Sequence, residues 1–338
     1  MKVSILVPVY AVERYIGLCA ESLFSQTYQD IEYIFVDDCS PDGSIGVLRD
    51  VLSRHPERAA AVSIVRHDRN RGSGASRLTA MNHATGDFVC FADSDDFMPV
   101  DAVQRLVDCQ SATGADMVDG AFDRFVDGSF SAPRQPSHDA HYAQLLVLQN
   151  SVSHQVWARL IRRSLFADHG IAFVEGVNQA EDYSVMARLG FYAVRATVPH
   201  VVYHYRMDRE GSFSDGVSPR HVPSVLGANR LVIEFLRRED RAHRCRYAAR
   251  VGIVNACWQA VRAGMKIDEV RRQLGFGPHG MLFRLADALL SHKSTVPLAR
   301  GLYLVLKRLY RFWLPLSDAL RPFRRDFRKA THSSRITT

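Results

Sequence analysis

The chain has six cysteines (Cys19, Cys39, Cys90, Cys109, Cys245 and Cys257), and none forms a C-x-x-C pair or stands at knuckle spacing from a histidine. That leaves a structural zinc site and a disulfide framework without support. No uncharged apolar run reaches the ~18 residues of a membrane span. The apolar run at the N-terminus stops at Pro8, too short for a secretory leader, and no cleavage site follows. These absences point to a reduced, cytoplasmic protein. Two nucleotide motifs are missing as well: there is no G-K-[ST] and no G-x-G-x-x-G after the first strand, which argues against an ATPase and a conventional dehydrogenase. Positive charge is scarce outside the tail. Of 43 basic and 36 acidic residues, ten basic and two acidic lie from Val296 onward, so the tail carries +8 and the remainder −1 of a net +7. Such a body does not read as a nucleic-acid binder, and no nucleic acid is expected as a partner.

What is present is an ordinary folded composition, 47% hydrophobic and 23% charged over 338 residues, enough for one large domain with an appendage. Strand and helix patterns alternate through the first hundred residues. Val3–Val9 is a continuous apolar strand of the kind buried on both faces. Helical spacing follows over 12–26, a strand over 31–36, and a helix reaching about 53 for which Ser40 is the expected N-cap and Pro41 the first residue. A strand at 61–65, a helix at 74–84 and a strand at 87–92 continue the rhythm. The fold class expected is α/β, with a mostly parallel sheet flanked by helices. From about 219 the pattern turns helical (222–238, 244–263, 267–274), so the expected division is a sheet domain at 1–218 and a helical appendage at 219–338.

Ligands of parallel sheets bind beyond the carboxyl ends of the strands, and acids gather there. Asp37 and Asp38 end the second strand, and Asp93-Ser94-Asp95-Asp96 follows the fourth. Acids after strands often only start turns. A D-x-D-D cluster opposite a second acidic strand end instead suggests a site, because crowded carboxylates call for a cation or for donors, and Mg²⁺ takes carboxylate oxygens while leaving positions for phosphate. Between the two acidic ends, Asn70-Arg71-Gly72-Ser73-Gly74 precedes a helix that carries Arg77. Such a loop is either a plain connection or a phosphate cradle.

Taken in order, Val3-Ser4-Ile5-Leu6-Val7-Pro8-Val9-Tyr10, Val36-Asp37-Asp38-Cys39-Ser40-Pro41-Asp42-Gly43-Ser44, Asn70-Arg71-Gly72, Arg77, Ala84-Thr85-Gly86-Asp87 and Phe91-Ala92-Asp93-Ser94-Asp95-Asp96 resemble glycosyltransferase family 2 over residues 3–210. The resemblance implies a GT-A fold and an inverting transfer from a nucleotide-sugar donor, usually a UDP-sugar, with a divalent metal, Mg²⁺ or Mn²⁺. By position it implies that Pro8, Val9, Tyr10, Glu13, Asn70, Gly72 and Ser94 line the nucleotide-sugar site. Asp38 would meet the base, Arg77 would stand near base and diphosphate, Asp93 and Asp95 occupy the D-x-D positions, and Asp95 and Asp96 would hold the metal. Gln179-Ala180-Glu181-Asp182 looks like the family's E-D helix start, which makes Asp182 the implied catalytic base; a plain first-turn acid is the alternative. Trp157 is read as packing rather than sugar stacking, His204 as structural, and Arg206 either as a diphosphate clamp or as a salt-bridge partner. The sequence departs from the family pattern at Ala11, Cys39 and Leu78, where Asn, Gly and Asn are usual.

The tail segment 299–329 mixes aliphatic, aromatic and basic residues. It reads either as a peripheral contact with an anionic membrane on the inner face of the cell membrane, within reach of a lipid-linked saccharide acceptor, or as a helix docked on the domain. Two other functions fit the sequence less well. A non-catalytic nucleotide-sugar-binding protein is disfavoured by the intact acids, and a nucleotidyltransferase by the absence of glycine in Tyr10-Ala11-Val12-Glu13-Arg14.

Overall fold

The computed structural model describes residues 1–149, 152–209, 219–274 and 281–319. Eight strands form one sheet: β1 (Val3–Val9), β2 (Ile31–Asp37), β3 (Val62–Arg66), β4 (Phe88–Phe91), β5 (Met117–Val126), β6 (Ser129–Phe130), β7 (Arg159–Arg162) and β8 (Arg195–Arg206). Their order is β3-β2-β1-β4-β7-β5-β6, with β8 pairing β5. The helices are α1 (Ile16–Phe24), α2 (Ser44–Ser53), α3 (Ser73–His83), α4 (Ala102–Thr113), α5 (Tyr142–Val147), α6 (Ser164–Asp168), α7 (Glu181–Tyr192), α8 (Val222–Glu239), α9 (Arg246–Arg262), α10 (Ile267–Leu274), α11 (Met281–Leu290) and α12 (Val296–Ala319).

The β3-β2-β1-β4 half is parallel, as the alternating pattern predicts. β1 lies in its interior, and its run, apolar but for Ser4, is buried on both faces. Beyond β4 the sheet is mixed. β7 runs antiparallel to β4 and β5, and β6 antiparallel to β5, while β8 is parallel to β5. A parallel neighbour for β4 would need a helical crossover; β7 instead enters from the long irregular stretch after β6 and pairs in the opposite direction.

Two helices begin later than the sequence reading placed them. α1 starts at Ile16 rather than 12, because the Val12 carbonyl already closes a turn with the N–H groups of Tyr15 and Ile16 at 2.8 and 2.9 Å. α2 starts at Ser44 rather than near Ser40. The Ser40 hydroxyl instead accepts from the Ala11 N–H (2.9 Å) and donates to Asp42 (2.6 Å), and Asp42 accepts the Ser44 N–H.

The helical region from α8 onward shares a hydrophobic core with the sheet. One cluster runs from Leu6 and Val36 through Val185 and Leu189 of α7 to Tyr303, Leu306, Tyr310 and Leu314 of α12. The α12 residues Ala299, Tyr303, Leu306, Tyr310 and Leu314 recur at three- and four-residue spacing and form the docked stripe. A second stripe of α12, with Leu298, Val305, Leu309 and Phe312, is exposed. Among the described residues no helix is long and apolar enough to cross a membrane. The tail segment 299–329 continues past α12, and residues 320–329 lie outside the described residues.

Candidate functional site

The site is built at the carboxyl edge of β1, β2 and β4, where strand ends meet the N-termini of α3 and α7. At the end of β2 the acids are engaged by local donors. Asp38 is buried and accepts from His67 Nδ1 (2.7 Å), the Arg71 N–H (2.8 Å) and the Gly72 N–H (2.7 Å). Asp37 accepts the Ser40 N–H at 2.8 Å. A carboxylate has about four acceptor positions, so one on Asp38 remains for a base. The N–H of Gly72 is spent on Asp38 and that of Gly74 on Asn178 Oδ1 (3.1 Å), so neither is presented to a phosphate. The loop is glycine-rich for a packing reason. Gly72 has φ +86°, and a Cβ there would stand 2.2 Å from the Asn178 side chain.

At the end of β4 the acids face one another. The Asp93-Ser94-Asp95-Asp96 loop is braced from β8: the Tyr203 hydroxyl accepts the Asp93 N–H (2.9 Å) and donates to Asp96 Oδ2 (2.8 Å), and the Arg206 N–H donates to Asp96 Oδ1 (2.7 Å). Asp96 is therefore turned inward, with both oxygens engaged. This corrects its reading as a metal ligand, because D-x-D-D spacing does not tell which acids face out. Asp95 pairs with Arg209 at 2.6 Å and keeps partial exposure. Burial first, then Asp95 and Asp182, push Asp93 up to about 6 against the pull of Arg77.

Arg77 of α3 ties this loop to α7. It is 5% exposed and reaches Asp93 Oδ1 (2.7 Å), Glu181 Oε1 (2.5 Å) and Asp182 Oδ1 (3.7 Å). Burial alone would lower its pKa, and the surrounding carboxylates of Asp182, Asp93 and Glu181 outweigh that and hold it up. Glu181 also accepts from the Ser73 hydroxyl at 2.8 Å, and burial pushes it up to about 7. Asp182 accepts the Val156 N–H through Oδ2 (3.2 Å), while its Oδ1 is buried without a hydrogen-bond partner. The residue before this pair, Ala180, has φ +64°, a left-handed conformation that non-glycine residues rarely adopt. Asp182 thus stands at a helix N-terminus beside a fixed cation, with Oδ1 free of hydrogen bonds but closed off from solvent.

The remaining expected residues separate clearly. Tyr10 is exposed at the end of β1, Pro8 is half-buried and Asn70 is exposed. Val9 is wholly buried in the core, so its side chain cannot line a pocket, which corrects that reading. Glu13 is exposed and accepts the Gly43 N–H (2.9 Å) at the head of α2 through one carboxylate oxygen, whereas Ser94 is buried. Arg206 donates to the Asp95 carbonyl (2.9 Å) and to Asp208 (3.3 Å), a brace for the acidic loop rather than a free clamp. His204 pairs with Asp123 at 2.7 Å. Trp157 is 4% exposed and stacks on Tyr203 and Tyr205, which makes it packing. Sequence reasoning assigned no role to Glu181, Tyr203 or Arg209. Glu181 stood in the quoted E-D pair and Tyr203 lies next to His204, whereas nothing local marks Arg209.

The donor set can be compared with what a divalent cation requires. Among the described residues no three His, Cys, Asp or Glu side chains converge as a ready cage. Mg²⁺ and Mn²⁺ are commonly held by one or two carboxylates with substrate phosphates, and Asp93 and Asp95 fit that mode. They alternate on one loop, and the raised pKa of Asp93, to which Asp95 contributes, is relieved by an added positive charge.

Residues 4–170 match the family model described as glycosyl transferase family 2. The chain is 30% identical to the putative glycosyltransferase EpsH of Bacillus subtilis over 61% of this chain and 60% of that protein, so it spans less than two thirds of that relative's length. Poly(ribitol-phosphate) beta-N-acetylglucosaminyltransferase TarS of Staphylococcus aureus is 25% identical over 72% of this chain and 42% of its own. The structure of TarS residues 1–349 with UDP-GlcNAc superposes with TM-score 0.59 at 20% identity, covering 92% of each chain. The mannosyltransferase PcManGT of Pyrobaculum calidifontis, solved with GDP-Man and Mn²⁺, gives 0.52 at 19% identity over 92% of this chain and 87% of that one. These likenesses show a GT-A fold.

Proposed function

We propose that the chain is a glycosyl transferase family 2 enzyme, supported by the match of residues 4–170 to that family model, and that it moves a sugar from a nucleotide-sugar donor to a saccharide or lipid-linked saccharide acceptor by direct displacement. The observation that carries the reading is the Arg77 bridge, which draws Asp93 of the β4 end and the Glu181–Asp182 pair of α7 to one cation. UDP is the proposed nucleoside diphosphate, supported by the neighbour solved with UDP-GlcNAc. Building of cell-surface polysaccharide is the proposed setting, supported by a relative named for poly(ribitol-phosphate).

In this reaction the acceptor hydroxyl attacks the anomeric carbon while the Asp182 carboxylate takes its proton. The bond from that carbon to the diphosphate oxygen breaks, and a single displacement inverts the configuration. General-base assistance of this kind is worth ~10²–10⁴-fold in rate. Glu181 and Arg77 hold Asp182 in place, and Tyr10, Pro8 and the remaining acceptor position of Asp38 are the groups placed for the nucleoside. A divalent ion held by Asp93 and Asp95, when bound, would neutralise the donor's diphosphate. Arg209, beside Asp95, is the chain's own cation placed to meet the charge on the departing group.

The exposed stripe of α12, flanked by Arg300, Arg308 and Arg311, supports peripheral contact with an anionic membrane at the cytoplasmic face. Cosedimentation with phosphatidylglycerol vesicles that falls on Leu309→Glu is the outcome expected; equal sedimentation of the variant overturns this location.

The reaction is tested by hydrolysis of a panel of nucleotide sugars, with and without Mn²⁺, by wild type and Asp95→Ala. Metal-dependent release of UDP from one donor, lost in the variant, is expected. If calorimetry finds no metal-dependent UDP binding, the reading falls.

A further inference from the structure

Two arginines near the end of β8 differ in how firmly they are held. Arg206 gives its N–H to Asp96 Oδ1 (2.7 Å), its Nε to the Asp95 carbonyl (2.9 Å) and its Nη1 to Asp208 (3.3 Å). Its guanidinium also lies against the rings of Tyr15 and Phe125, at 5.3 and 5.0 Å. The chain then stays fastened to β5, since the Met207 N–H donates to the Phe125 carbonyl at 2.9 Å. Arg209 is thereby brought to the acidic loop, where its Nη1 pairs with Asp95 Oδ2 at 2.6 Å.

Among the described residues this is the one ion pair of Arg209, and the Tyr15 ring stands 5.9 Å from its guanidinium. The Arg209 side chain is 24% exposed, against 6% for Arg77, which three carboxylates surround. A single, partly hydrated contact with a carboxylate is weak and exchangeable. A buried cation shared among three carboxylates is not, because leaving would strand their charges. Of the cations at the acidic loop, Arg209 is the one free to exchange partners.

Asp95 is also a residue placed to hold a divalent ion. A guanidinium and a divalent ion on one carboxylate repel each other at close range, so Arg209 opposes the ion while no other anion is present. A nucleoside diphosphate reverses this. Its oxygens ligate the ion and offer the guanidinium a two-pronged partner.

We propose that Arg209 couples the two ligands of the donor site: it holds Asp95 in place of the divalent ion, and releases it to the ion when a nucleoside diphosphate takes the guanidinium. The inference rests on the transferase reading above and on Asp95 as a ligand of the ion. Linkage makes the coupling reciprocal, so the ion favours the nucleotide by the same factor as the nucleotide favours the ion. The site thus resists the free ion and accepts the ion with its nucleotide.

The test measures Mn²⁺ binding to the full chain by electron paramagnetic resonance, without nucleotide and with saturating UDP. Wild type, Arg209→Gln and Arg54→Gln are compared. Arg54 pairs with Glu21 on the surface (3.1 Å) and controls for the general loss of one positive charge. Without UDP, Arg209→Gln is expected to bind Mn²⁺ ~threefold or more tighter than wild type, and Arg54→Gln to match wild type. With UDP the gap between Arg209→Gln and wild type is expected to close. Unchanged or weaker Mn²⁺ binding by Arg209→Gln without UDP overturns the proposal, as does equal tightening in Arg54→Gln. A gap of the same size with UDP also overturns it, because the guanidinium would then have stayed on Asp95. If wild type binds UDP but no Mn²⁺ beside it, the proposal falls while nucleotide binding stands. If wild type binds neither, the transferase reading itself falls, so the two failures are distinguishable.

Discussion

Two parallel strands, β2 and β4, end in acids at the same edge of the sheet, and the surroundings of those acids differ. Asp38 is met by an imidazole and two backbone N–H groups, all within 2.8 Å. Asp93 is met by one arginine and by the charges of Asp95 and Asp182. The first arrangement spends a carboxylate on holding a loop, and the second leaves carboxylates pressed together at a cleft. The number of acids after a strand does not tell the two apart; the supply of donors around them does.

The largest effect that would sharpen this comparison is on rate. Asp182→Asn is expected to slow donor turnover by ~10²–10⁴-fold while leaving UDP affinity, measured by calorimetry, unchanged. A variant with near wild-type turnover would move the base elsewhere.

The next effect contrasts stability with function at the two strand ends. Asp38→Ala strands two backbone donors and His67, and hydrogen bonds to charged groups are worth ~1.5–3 kcal/mol each, so a loss of about 3 kcal/mol or more in urea unfolding is expected. Asp95→Ala removes only a partly exposed pair with Arg209 and should cost less than ~1 kcal/mol while abolishing metal-dependent turnover. Equal destabilisation by both would break the comparison.

A smaller effect concerns pH. Burial raises Glu181 to about 7 and Asp93 to about 6 in the folded chain, above ordinary values of 4.5 and 3.8. Folding therefore binds protons, and the stability these groups contribute is complete below about pH 4 and lost as pH rises through 6 and 7. Glu181→Gln, held neutral, should gain on wild type in unfolding free energy between pH 5 and pH 8. Parallel curves for the two proteins would remove Glu181 from this linkage.

The smallest effect is local. Ala11 and Cys39, two of the departures from the family pattern, have φ of +51° and +57°, where the usual Asn and Gly are better tolerated. Cys39→Gly is expected to raise stability by up to ~1 kcal/mol, read as a shift in urea midpoint; destabilisation would mean that its side chain contributes packing.

Much of this was legible beforehand. The parallel half of the sheet followed from apolar runs such as Val3–Val9, because a strand buried on both faces cannot alternate. The helices of 222–274 followed from spacing, and the acids at strand ends from their position. The antiparallel entry of β7 was not legible, since strand direction depends on where a long irregular segment returns. Nor was the inward turn of Asp96, which the Tyr203 hydroxyl decides from 107 residues away.

The order of elements and the chemistry available at each strand end were thus determined by the sequence alone, because apolar period and residue type act over a few neighbours. Which carboxylates stay open was decided only by the tertiary structure. Arg77 joins α3 to acids 16 and 104 residues distant, and Arg209 reaches Asp95 from beyond the end of β8. Burial and long-range pairing set the charge state of those groups, and neither is written in any local run of residues.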